Sequence, residues 1–199
     1  MTQARTRPYD MTLRAQRAAE TTERIVAVTE RLLLTKPLTE VTLKAIAADA
    51  GVTAQTVLRH MGSRDGCLEA VAQRLAARVA EQRGASDPGD VDGALAGLMR
   101  HYEADGRLVL ALLAQEAGSD PLARRAAEVG RAFHRDWVRR CFAPWLSGGD
   151  DEDVRECVDA LVVATDLYVW KLLRLDLGRS REATEGVLRR LVGAVLEAR

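Results

Sequence analysis

Residues 45–66 read AIAADAGVTAQTVLRHMGSRDG, and within them two short apolar segments meet at Gly51-Val52-Thr53. Each segment is about two turns long, too short to persist as an isolated helix in water. They hold only by packing on each other across a sharp bend, and the residue types suit that bend. Gly51 accepts positive φ without a Cβ clash, Ala47 is small where two helices would cross, and Val52 supplies an apolar plug. Thr53 is a good N-cap for the second segment. Beyond it, Ala54, Val57, Leu58 and Met61 recur at the spacing of one buried helix face. The other face carries Thr53, Gln55, Thr56 and Arg59, whose hydrogen-bonding heads match base edges in a major groove. Two helices crossing this way make a helix-turn-helix or an ordinary αα-corner, and the spacing alone admits both.

The remaining chain extends the helical pattern. Ala, Leu, Arg and Glu dominate, prolines number five, and no alternating strand pattern appears, so the expected fold is all-α. An apolar fraction of 47% is ample for a packed core. Formal net charge is +0, yet residues 1–83 hold 13 Lys and Arg against 9 Asp and Glu, and the remainder 16 against 20. A mildly basic N-terminal part suits phosphate binding, although scattered surface charge would give the same figures. Cys67, Cys141 and Cys157 show no CxxC spacing, and His101 and His134 have no partner at metal-ligand spacing. No disulfide framework, metal or cofactor is therefore expected. The N-terminus lacks the apolar core of a secretory signal, and no run of 18 apolar residues exists, so no membrane partner and a reducing, cytoplasmic location are expected.

Along the chain, residues 1–16 read as a flexible arm dotted with Arg5, Arg7 and Arg14. A first helix is predicted from about Thr22 to Leu34 on the stripe Ile25, Val28 and Leu32, ending at Lys36-Pro37. Thr42 caps a second helix, Thr53 a third through about His60, and Ser63 a fourth that ends near Gly84. GASDPGD, 84–90, has linker composition. Helical segments are predicted near 91–103, 106–117, 121–142, 151–177 and 181–198. The expected organisation is an arm over 1–16, a helix-turn-helix domain over 17–62 and a helical regulatory and dimerisation domain over 63–199.

Residues 24–75 resemble the DNA-binding domain of the tetracycline-repressor (TetR) family. The likeness is carried by Arg24-Ile25, by Val41-Thr42-Leu43-Lys44-Ala45-Ile46-Ala47, by Ala50-Gly51-Val52-Thr53, by Arg59-His60-Met61, and by Ser63-Arg64 with Leu68 following. Leu58 stands where the family usually has Tyr, and Met61 where it has an aromatic. The resemblance implies that Thr42 offers its hydroxyl and helix N-terminus to a phosphate. It makes Lys44, Thr53, Gln55 and Arg59 the candidates for base edges, beside Thr56 on the same helix face, and it gives His60 and Arg64 to the DNA backbone. Arm arginines would enter a minor groove or play no part.

The resemblance also implies that the rest of the chain is a variable ligand-binding and dimerisation domain. Two apolar stripes on 154–178 and a third on Val187, Leu188, Leu191, Val192, Val195 and Leu196 suit either a four-helix dimer interface or a helix central to a monomer. A palindromic double-stranded operator favours the homodimer. Asp166 lies inside an apolar run and needs a partner, from a neighbouring Arg or Lys or from a polar pocket. Tyr102, Phe133, His134, Trp137 and Trp170, with Asp166, form the candidate ligand set, though aromatics equally serve as core. No nucleophile–base signature, metal motif or phosphate loop supports an enzyme. The expected function is a homodimeric transcriptional regulator, a repressor controlled by a small-molecule effector; the alternative is a DNA-bound regulator controlled by a protein partner.

Overall fold

A computed structural model describes residues 8–84, 86–118, 120–147 and 149–198. All regular structure among them is helical, as expected. The chain divides into two compact units, Met1–Arg74 and Leu75–Arg199. The break falls within a helix.

In the first unit, α1 (Pro8–Thr35) is followed by a single 3-10 turn (Leu38–Glu40), α2 (Leu43–Ala50), α3 (Ala54–Met61) and the start of α4 (Arg64–Arg83). α1 begins well before the predicted Thr22. Arg14 therefore stands on a helix and not on an arm, while Arg5 and Arg7 lie outside the described residues. The stretch AQRAAETTER contains no helix breaker, which is why the helix runs on. Ile25, Leu32, Val41, Ile46 and Val57 are buried at the centre, and both α2 and α3 pack on α1. Arg64 fastens the base of this unit. Its Nε donates to the Val41 carbonyl at 2.8 Å and its Nη2 to that of Leu38 at 2.7 Å. These carbonyls lie just before α2, so one guanidinium fixes where α2 starts relative to α4.

The second unit contains the rest of α4, α5 (Val91–Leu113), α6 (Pro121–Cys141), a 3-10 turn (Ala143–Trp145), α7 (Asp151–Ala164), α8 (Leu167–Lys171) running into a π turn (Leu172–Asp176), and α9 (Arg181–Glu197). Three expectations change here. Where the composition suggests a linker, residues 87–90 form a turn inside this unit: the Gly89 N–H donates to the Cys141 carbonyl at 2.8 Å, and Asp90 caps α5. The break predicted near Asp105-Gly106 does not occur. Asp105 is buried and paired to Arg78 at 2.7 Å. At Gly106 a Cβ would come within 2.8 Å of the Trp170 ring, so the glycine admits a large side chain and interrupts nothing.

Conversely, the helix predicted over 151–177 breaks after Ala164. The Thr165 carbonyl accepts from the buried Tyr102 hydroxyl at 2.9 Å, and the Thr165 hydroxyl donates back to Leu161 at 2.7 Å. Asp166 then restarts the helix, accepting from Tyr168 N–H at 2.7 Å. It is half-buried and serves as an N-cap, so the isolated buried carboxylate expected from the sequence is not present. The core is formed by Leu95, Leu98, Met99, Phe142, Leu161 and Leu188 with their neighbours.

His134 joins this core by hydrogen bonds on both ring nitrogens. Thr165 Oγ1, already donating to Leu161, accepts from Nε2–H at 3.1 Å. That leaves Nδ1 to accept from Arg83 Nη2 at 2.8 Å. Burial first, and the Arg83 charge second, lower its pKa from 6.5 to about 3.

Arg64→Ala is expected to lower folding stability by about 1.5–3 kcal/mol, the range for a lost hydrogen bond to a charged donor; a melting temperature equal to wild type would contradict the clamp. Acid is expected to weaken the fold through His134. An unfolded chain protonates His134 near pH 6.5 and the folded chain only near pH 3. Between those values the unfolded state holds more protons, so stability falls as pH drops, by up to about 1.4 kcal/mol per pH unit. His134→Gln is expected to flatten the slope between pH 6.5 and 5 in denaturant titrations, with His101, also shifted down, supplying what remains. An unaltered slope would refute it.

Candidate nucleic-acid interface

The bend between α2 and α3 is built entirely from local hydrogen bonds. Thr42 caps α2 by accepting from Ala45 N–H at 3.2 Å. At the other end Gly51 adopts φ 64° and ψ 36°, the left-handed conformation expected of it. Its N–H donates to Ala48 at 3.3 Å and that of Val52 to Ala47 at 3.0 Å, a Schellman closure. Thr53 immediately begins α3, accepting from Thr56 N–H at 3.1 Å while the two hydroxyls pair at 2.9 Å. Only two residues separate one helix's end from the next helix's cap. The crossing angle is thereby set without help from solvent-facing side chains.

Val57 alone on α3 is fully buried; Leu58 and Met61 are half-buried, and Ala54, placed on the inner stripe by its spacing, is exposed. A helix held by so little of its circumference leaves most of its surface outside. Lys44, Thr53, Gln55 and Arg59 are exposed and Thr56 half-buried. Lys44, Gln55 and Arg59 make no hydrogen bond or ion pair with the described residues, so their donors are available to another molecule. Asp49, the acid nearest the bend in sequence, is paired to Arg31 at 3.1 Å, which offsets a charge that would repel phosphate.

Two members of the expected set have other duties. His60 is half-buried and its Nδ1 pairs with Thr22 Oγ1 at 2.9 Å, tying α3 to α1. Arg64, assigned to the DNA backbone by sequence, has its guanidinium committed to the Val41 and Leu38 carbonyls. Thr22 was not singled out in the sequence, since a threonine one helix away gives no local signal of its partner.

The candidate ligand set lies in the second unit. Tyr102, Trp137, Trp170 and His134 are buried, Phe133 is 39% exposed, and Asp166 caps α8. Their rings contact one another: Tyr102 and Trp170 have centroids 5.9 Å apart, and His134 stacks on Trp137 at 5.6 Å. Trp170 Nε1 donates to Glu103 at 2.9 Å. Arg83, which the sequence presents as an ordinary helix-end charge, sits at the middle of this group.

A capped, glycine-turned pair of helices with an exposed polar second helix defines a helix-turn-helix DNA-binding protein. Residues 25–71 match the model of "Bacterial regulatory proteins, tetR family", so the likeness falls on the helix-turn-helix and the helices that carry it. A crystal structure of a transcriptional regulator from Rhodococcus sp. Rha1 shares the fold: its TM-score is 0.63 at 21% identity, over 89% of this chain and 96% of that one. No curated protein sequence matches the chain. Among the described residues no helix is long and apolar enough to cross a membrane.

Gln55→Ala and Arg59→Ala are each expected to relax base preference at particular operator positions, at a cost of about 1–3 kcal/mol on the cognate site. Binding selection from randomised duplexes reads this out; both variants retaining the full preference over random DNA would remove α3 as the reading helix.

Proposed function

We propose that this regulator is a homodimeric repressor that binds a palindromic operator and is released by a small-molecule effector held in the second unit. Apolar exposure carries the dimer. Among the described residues, five of the eight large apolar side chains left exposed belong to the last elements: Val163 (66%), Tyr168 (55%), Leu172 (50%), Leu177 (53%) and Leu191 (42%). A shallow groove of about 500 Å³ in the same region is lined by Leu173, Ala183, Gly186 and Val187 and rimmed by the charged Arg179, Glu182 and Arg190. Monomers seldom carry so much apolar surface in one part of the chain. A second copy related by a two-fold axis covers it with an identical face.

The palindrome follows from the dimer. Two copies of α3 related by a two-fold axis read inverted half-sites, whose centres on one face of B-DNA lie about 34–36 Å apart. Thr42, Lys44, Thr53, Gln55, Thr56 and Arg59 are the residues proposed to touch DNA. The phosphate contact assigned to Thr42 rests on its place at the α2 N-terminus, where backbone N–H groups and the helix dipole favour an anion. Bound across a promoter, such a dimer blocks transcription by occupancy. The buried polar groups of the second unit support control by a small molecule and not by a protein, because a protein partner reads exposed side chains.

Leu191→Glu places a charge on the proposed interface and is expected to give a monomer by light scattering. Loss of the second half-site contact should weaken operator binding about 100-fold or more. A mutant that remains dimeric, or a wild-type protein that is monomeric when bound to DNA, would overturn the proposal.

A further inference from the structure

Arg83 closes α4 with a side chain only 4% exposed, yet no carboxylate among the described residues pairs with it. Asp105, a buried acid of the same unit, is taken by Arg78 at 2.7 Å. Against the guanidinium stand aromatic and neutral side chains, and the further charge that bears on it, Arg140, is like-signed, its Nη2 donating to the Arg83 carbonyl at 2.9 Å. The Arg83 Cζ stands 4.2 Å from the Trp137 ring centre and 5.4 Å from that of Phe133. His134 accepts one N–H as a neutral imidazole. Burial lowers the guanidinium to about 10, which still leaves it fully charged at neutral pH. Hydrogen-bonding capacity is also left over in the cluster: Arg83 Nε and Trp137 Nε1 are buried donors without an acceptor among the described residues.

A buried cation lacking an anion is among the costliest features a fold can keep, and a structural role does not require one. Methionine fills the same volume without that cost. The unsatisfied donors of the cluster, the guanidinium's own Nε and the indole N–H of Trp137, point the same way. The chemistry of that acceptor is constrained. One uncompensated positive charge calls for one negative charge, and the planar guanidinium presents parallel donors that fit a carboxylate. The walls supplied by Phe133 and Trp137 accept an apolar body.

We propose that Arg83, with the indole N–H of Trp137, anchors a small monocarboxylate carrying an apolar body inside the second unit, and that this acid is the effector. Phe133 stands over the guanidinium and reaches solvent, so the acid enters by displacing its ring. The effector role rests on the ligand-controlled reading above; the binding site does not.

Full-length protein is titrated with octanoate and benzoate beside octanamide and benzamide, following melting temperature and tryptophan fluorescence. The acids are expected to raise the melting temperature by several degrees and to change the fluorescence, and the amides to do neither. Arg83→Met is expected to melt at or above wild type without ligand and to lose the response to acids. Equal responses to acids and amides, no response to any, or a response that survives in Arg83→Met overturns the site. If Arg83→Met does not fold, Arg83→Lys decides: it keeps the charge but not the fork, and should weaken acid binding at least tenfold, whereas unchanged binding overturns the proposal. A mobility-shift assay with the same compounds separates the two readings. Acids that bind through Arg83 but leave the DNA complex intact refute the effector role and keep the site. Release of DNA by an amide, with no acid bound, refutes the site and keeps small-molecule control.

Discussion

The angle between α2 and α3 depends on three consecutive residues, because neither helix is long enough to hold its own direction. Gly51 supplies the left-handed conformation, Val52 closes the Schellman bond to Ala47, and Thr53 satisfies the Thr56 N–H in the first turn of α3. The closing bonds of one helix and the cap of the next are thus made within three residues. As a result, the outer face of α3 owes nothing to the fold. Gln55 and Arg59 can be chosen wholly for what they touch, since the scaffold is carried by Val57, by His60 on Thr22 and by Arg64 on the main chain.

The second unit inverts this economy: its side chains satisfy one another in the interior. Tyr102 takes the carbonyl freed where α7 ends, Thr165 bridges Leu161 and His134, and His134 passes the chain on to Arg83. Such a series is cooperative, since each member fixes the donor or acceptor role of the next. It stops at Arg83, a charge that no carboxylate among the described residues pairs with. Outside it, Glu103 gathers Trp170 Nε1 and two Arg174 nitrogens, at 2.7 to 2.9 Å, and so ties the π turn to α5.

The sequence made the first unit legible and the second only in outline, and the difference is one of range. Gly51, Thr42, Thr53 and Ser63 act on residues within about four positions, so their roles could be read from neighbours and were found as expected. Arg64 and His60 act on residues 23 and 38 positions away, and nothing beside them in the chain announces it. The Asp105-Gly106 pair looked like a turn because both residues favour one, while its actual partners, Arg78 and Trp170, are remote. Asp166 is the instructive miss. The pattern of apolar residues ran through it, but an Asp ahead of LYVW is also an N-cap signal, and the local signal was the correct one.

The close fit of Gly106 under Trp170 has a consequence for how this chain can drift. A methyl group at position 106 would overlap an indole that is itself held by Glu103, so the ring cannot step aside without giving up a hydrogen bond. Neither position can be altered alone at small cost: alanine at 106 collides, and a smaller side chain at 170 leaves a void above the glycine. The two sites, 64 positions apart, form a single unit of inheritance. Relatives that fill the first are expected to have shrunk the second, and the end of the molecule built on α8 will diverge in step with the middle of α5.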